Sequence, residues 1–156
     1  MTGPDRAGRT ARVVTASNRA AAGVYADRSG PVVVAWLRER GYDCPDPVVV
    51  PDGEPVGDAL RAAVAAGANV VITTGGTGIS PTDATPEVTR RVLDYEVPGL
   101  ADAIRAAGAP TVPTAARRTI ASVIGGRLLA AGPRRGRALR RGRPARRGHR
   151  PSSRAG

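Results

Sequence analysis

An α/β fold, with a parallel sheet covered by helices on both faces, is what this sequence predicts. Three observations carry the expectation. Short β-branched runs alternate with stretches of helical periodicity. The breaks between them fall on Gly, Pro and Asp. One run, residues 69–74 (NVVITT), stays apolar almost to its end, as a central strand buried on both faces does.

Taken in order, residues 1–10 are expected to be a disordered lead-in. Residues 11–16 (ARVVTA) form a first strand ending in the polar stretch Ser17-Asn18-Arg19. A glycine-containing loop, residues 20–28, leads to Ser29 as N-cap, with Pro31 in the first helical turn. Val33, Trp36, Leu37 and Arg40 follow at helical spacing before a stop at Gly41, and Trp36 is read as core. Val48-Val49-Val50 is a short second strand, residues 51–55 (PDGEP) a turn, and Val56, Leu60, Ala63 and Val64 the inner stripe of a helix closed by Gly67. Thr85-Pro86-Glu87 reads as N-cap, first-turn proline and an acid at the positive end of the helix dipole. Leu100, Ala103, Ile104 and Ala107 mark one face of a further helix over residues 98–107. Residues 119–124, Gly125-Gly126 and residues 127–130 read as a hairpin appended to the sheet.

Composition bounds the rest. A chain of 156 residues favours one domain. With 41% hydrophobic residues, no Phe and 3% aromatics, its core must be built from Ala, Val, Leu and Ile. No apolar run is long enough to span a bilayer, and residues 1–12 lack the apolar segment of a secretory signal. One cysteine, Cys44, excludes an internal disulfide framework and a cysteine-clustered zinc site. A soluble cytoplasmic protein, without a membrane partner, is expected.

The net charge of +11 divides sharply. Up to residue 116, eleven arginines stand against all thirteen acids, a balance of −2; the remaining thirteen arginines follow with no acid at all. Of the last 27 residues, 23 are Arg, Gly, Ala or Pro, residue types that share GC-rich codons. A GC-rich gene read out of frame would yield such a tail, and a change of frame near Leu129 is one expectation. The other is an arginine-rich nucleic-acid arm, which ranks lower because the tail has no aromatic to stack on bases.

In an open α/β sheet, ligands bind beyond the carboxyl ends of the strands, near a switch in strand order. Three polar segments here follow strand ends: Ser17-Asn18-Arg19, Asp52-Gly53-Glu54, and residues 75–83 (GGTGISPTD). Glycines let the backbone approach a ligand, and consecutive N–H groups make a concave anion site. Thr73, Thr74 and Thr77 add hydroxyls, and Asp52 and Asp83 add hard oxygens suited to Mg²⁺. Each has a plainer alternative. The glycine run is neither a Walker A loop nor a GxGxxG fingerprint and could be a tight connection, while Asp52 in Pro-Asp-Gly is an ideal turn residue.

Residues from about 12 to 129 resemble the MogA/MoaB family of molybdenum cofactor biosynthesis proteins. The resemblance rests on Val14-Thr15-Ala16-Ser17-Asn18-Arg19 with Gly23-Val24-Tyr25-Ala26-Asp27, then Val50-Pro51-Asp52, residues 73–87 (TTGGTGISPTDATPE), Val97-Pro98-Gly99-Leu100 and Val112-Pro113-Thr114-Ala115. It implies a three-layer α/β sandwich with a mostly parallel central sheet over residues 11–129, followed by a tail over residues 130–156. It also implies assembly as a homotrimer or hexamer. The activity implied is Mg-ATP-dependent adenylylation of molybdopterin, in which the pterin's terminal phosphate attacks the α-phosphorus of ATP and pyrophosphate leaves. Asp52 and Asp83 would be the catalytic and Mg²⁺-positioning acids. Ser17, Thr74, Gly75, Gly76, Thr77, Gly78 and Ser80 would cradle pterin or phosphate. A pterin-binding protein of the MoaB type without catalysis is the alternative. After Leu129 the family continues with an Asn-Leu-Pro-Gly-Ser-like loop and a final helix, and neither is present here.

Overall fold

The computed structural model describes residues 8–108, 120–124 and 127–132 of the chain. The elements are β1 (Ala11–Ala16), α1 (Asn18–Ala21), α2 (Gly30–Arg38), β2 (Val48–Val50), α3 (Glu54–Ala65), β3 (Val70–Thr74), α4 (Thr85–Arg90), β4 (Tyr95–Glu96), α5 (Pro98–Gly108), β5 (Ile120–Ile124) and β6 (Arg127–Gly132). The strands form one six-stranded sheet in the order β2-β1-β3-β6-β5-β4. Pairing is parallel from β2 through β6 and antiparallel for β6–β5 and β5–β4.

Two apolar clusters sandwich this sheet. Val14 and Ala16 of β1 and Val71 of β3 pack with Val56, Leu60 and Ala63 of α3. Val13 of β1, with Val70 and Ile72 of β3, packs with Val34 and Leu37 of α2 and with Cys44. Successive strand residues thus face opposite helices, the two-fold alternation of a pleated strand. The three layers expected from the sequence are present: α2 on one face, α3 on the other, the sheet between. With no Phe available, Leu37 and Leu60 are the largest fully buried side chains. Burial of each contributes about 1.5–3 kcal/mol.

Several expectations shift. Thr10, expected within the lead-in, pairs with Asp43 and donates its N–H to Asn69. Residues 18–21 form a short helix rather than loop, because the Ser17 hydroxyl accepts the Ala20 N–H at 3.2 Å. Ser29 stands at the N-cap of α2, but its side chain does not cap. Asp27 does, accepting from the Ser29 and Gly30 N–H groups at 2.9 and 3.2 Å. Thr85 is the first residue of α4 rather than its N-cap, which is Ala84. Trp36 is half-buried at the rim of its cluster, with the Arg40 guanidinium 3.8 Å from its ring. On α5 the buried residue is Ala101, while Ala103 and Ala107 are exposed. The hairpin is not a marginal addition. β6 lies between β3 and β5 and runs to Gly132, two residues past the expected end, because its last residues pair with Thr73 and Thr74. Residues 1–7, the Val112-Pro113-Thr114-Ala115 segment and the arginine-rich residues from 133 onward lie outside the described residues.

Candidate functional site

The chain leaves β1, adds β2 on one side, then crosses to add β3 on the other. That reversal makes the carboxyl ends of β1 and β3 a topological switch point, where a crevice opens. The register aligns the exits, with Ala16 opposite Val50 and Thr15 opposite Thr74. The segments that follow, beginning at Ser17, Pro51 and Gly75, therefore converge at one edge. There they enclose a cleft of about 390 Å³, lined by Ser17, Asn18, Arg19 and Tyr25, by Asp52, and by Gly75–Gly78 with Thr82 and Asp83.

The glycine turn is shaped by its neighbours. Gly75 and Gly76 both hold positive φ, +96° and +60°. A Cβ on Gly76 would overlap the Thr85 hydroxyl and the Asp52 carboxylate, and one on Gly78 would stand 2.6 Å from Asp83 Oδ2. Both acids therefore press against backbone that has no side chain to give way. Asp52 is fixed from two sides: its Oδ1 accepts the Gly53 N–H at 2.8 Å and the Thr85 hydroxyl at 3.0 Å. Its own N–H donates to Asn18 Oδ1 at 2.9 Å, tying the β2 exit to the β1 exit. Thr85 closes the loop, donating its N–H to the Gly76 carbonyl at 3.2 Å. Asp83 Oδ2 accepts the Ser80 N–H at 3.0 Å, and the Asp83 N–H donates to the Ser80 carbonyl at 2.9 Å.

Of the residues singled out from the sequence, Ser17, Asp52, Gly75, Gly76, Thr77, Gly78 and Asp83 meet in this cleft. Thr74 does not line it; the residue is buried at the end of β3. Ser80 is exposed on the far side of the loop, where with Ile79, Pro81, Asp83, Ala84 and Glu87 it lines a second hollow of about 410 Å³. Asn18, Arg19, Tyr25 and Thr82 were missed as site residues, as was Thr85 behind Asp52. The strand-end position of Ser17-Asn18-Arg19 was the available signal for two of them. Among the described residues no three His, Cys, Asp or Glu side chains gather as a metal site. What the cleft offers a cation is two carboxylates. Such a pair fits Mg²⁺, which takes one or two carboxylates and fills its shell with water and substrate phosphates.

Among the described residues no helix is long and apolar enough to cross a membrane. A family described as "Probable molybdopterin binding domain" matches residues 12–129. The molybdopterin adenylyltransferase of Haemophilus influenzae is 40% identical over 108 residues, covering 66% of this chain and 54% of that protein. The chain spans about half the length, or less, of the first curated relatives it matches. Among solved structures, the Mog molybdopterin biosynthesis protein of Mycobacterium ulcerans is 52% identical. It superposes with a TM-score of 0.76 over 80% of this chain and 83% of that one. The molybdopterin biosynthesis enzyme MoaB of Thermus thermophilus gives the same TM-score of 0.76 at 33% identity, covering 85% of each chain.

Proposed function

The chain belongs to the molybdopterin-binding domain family of molybdenum cofactor biosynthesis, matched over residues 12–129, and from that premise we propose that it adenylylates molybdopterin with Mg-ATP. One observation carries the reading: a side-chain-free glycine turn at the switch point is held against two carboxylates, Asp52 and Asp83, that line one cleft. Identity of 40% to the molybdopterin adenylyltransferase of Haemophilus influenzae supports the catalytic reading over a pterin binder without activity.

Transfer of an adenylyl group forms one phosphorus–oxygen bond and breaks another. A terminal phosphate oxygen of the pterin bonds to the α-phosphorus of ATP, and the bond to the departing pyrophosphate breaks, taking its electron pair with it. No protein nucleophile is needed, so the chain's task is alignment and charge stabilisation. The turn at Gly75–Gly78 offers backbone N–H groups to phosphate oxygens at close range. Thr77 and Ser17 add hydroxyls at its flanks. Asp52 and Asp83 would hold Mg²⁺, which when bound neutralises phosphate charge. Thr85 and Gly53 keep Asp52 oriented. The proposed compartment is the cytoplasm, which fits an ATP-dependent reaction and a buried free cysteine.

The test is direct. Incubation of the chain with molybdopterin, ATP and Mg²⁺ should release pyrophosphate and form adenylylated pterin. Asp52→Asn and Asp83→Asn should each lower kcat about 10²-fold or more. Undiminished turnover in both variants would sink the assignment. Pterin binding by calorimetry with no product from the wild type would leave the non-catalytic reading in its place.

A further inference from the structure

Both proposed substrates bring phosphate into a cleft whose described lining holds two carboxylates and a single cation, Arg19. Arg19 is exposed at the cleft wall, but it has a partner there. Its guanidinium lies over the Tyr25 ring, 5.2 Å from the centroid. The Tyr25 hydroxyl is 3.1 Å from the Ser17 hydroxyl, and Ser17 in turn accepts the Ala20 N–H. The backbone closes the same circuit: the Arg19 carbonyl accepts the Val24 N–H at 2.9 Å, and Gly23 turns the chain with φ +72°. So the segment after β1 doubles back and sets an aromatic face under the arginine, both at the wall of the cleft.

We infer that Arg19 contacts the phosphate oxygens of a substrate in this cleft, and that Tyr25 is the positioning residue that aims it. The inference rests on the adenylyltransferase reading for its substrates, though not for its geometry. Guanidinium is the side chain best matched to phosphate, offering planar donors that pair with two oxygens at once. Packing on an aromatic ring limits the rotamers that a free arginine would have to give up on binding. A pair serving only to brace the loop would leave anion affinity untouched.

Inorganic pyrophosphate, titrated into the intact protein by calorimetry at two salt concentrations, tests the charge itself. Arg19→Gln should weaken pyrophosphate binding about tenfold and flatten its salt dependence. Arg19→Lys should recover part of the loss, whereas Arg61→Gln, which removes a charge from the solvent face of α3, should not weaken binding. Tyr25→Leu should shift affinity in the direction of Arg19→Gln while the melting temperature holds, and Tyr25→Phe, keeping the ring, should recover most of the difference. In turnover, a rise in KM for ATP alone assigns the contact to the nucleotide, and a rise for molybdopterin alone assigns it to the pterin phosphate. Either supports the inference. Wild-type protein that fails to bind pyrophosphate, an Arg19→Gln variant that binds it equally well, or an Arg61→Gln variant that loses as much would overturn it. Binding through Arg19 with no adenylylated product would sink the enzymatic reading alone.

Discussion

Gly53 and Gly76 both hold a positive φ, +96° and +60°, but their surroundings differ. Nothing stands within 4 Å of a Cβ on Gly53, whereas one on Gly76 would strike Thr85 and Asp52. Gly53→Ala should therefore show backbone strain alone, about 1–3 kcal/mol. Gly76→Ala should lose more stability in chemical denaturation and should also depress kcat, because the methyl displaces Asp52. Cys44 makes a second residue-scale case. It is buried in the α2-side cluster, and burial, the largest influence, pushes its thiol above the ordinary range. The folded state therefore holds the thiol proton more tightly than the unfolded chain. Its contribution is complete below the unfolded value of 9.0 and is lost as pH rises from there through the folded value. Stability should decline with pH above that point and decline less in Cys44→Ala. Denaturation midpoints at pH 8 and above, for both proteins, check this. A thiol reagent should react slowly until the chain unfolds.

Among the elements, α2 shows best how a helix start can be legible while its cap is not. Ser29 and Pro31 placed the start well, yet the cap comes from Asp27, two residues earlier, which also accepts the Thr15 hydroxyl at 2.7 Å. Asp27→Ala removes a cap and leaves buried Thr15 without that acceptor. The expected loss is about 1–3 kcal/mol, measured by urea denaturation. Loss below ~0.5 kcal/mol would contradict this account of the cap. β1, β2, β3 and the helices α2 and α3 were legible because apolar spacing reports burial directly; α5 was legible in extent, but its apolar stripe did not mark its buried residue, Ala101. α1 was not, since a single turn has no period to read; neither was the two-residue β4. The same limit applies to the cleft. Its glycines and both acids stand out in the sequence as turn and ligand residues after strands. Thr85 looked like a helix cap, and only the fold reveals that its hydroxyl serves Asp52, 33 residues away. Asn18 binding the Asp52 N–H across 34 residues was equally invisible.

For the whole molecule, the assembly we propose is a homotrimer or a hexamer built from it. Exposed Ala103 and Ala107 on α5, together with the large exposed side chains Val24, Val48, Ile79 and Tyr95, are the apolar surface such contacts could use. Light scattering coupled to size-exclusion chromatography should give a mass three or six times 16.0 kDa. A monomer at micromolar concentration would refute it.

β3 takes its two neighbours from far apart in the chain, β1 at residues 11–16 and β6 at residues 127–132. Closing such distant pairings is slow, because the loop entropy must be met before the contacts reward it. During synthesis, then, the strand whose exit forms the glycine turn stays clamped on one edge only until nearly the whole sheet-forming sequence has emerged. Ligand-binding competence should arrive late and abruptly, as a property of the finished sheet rather than of its first half.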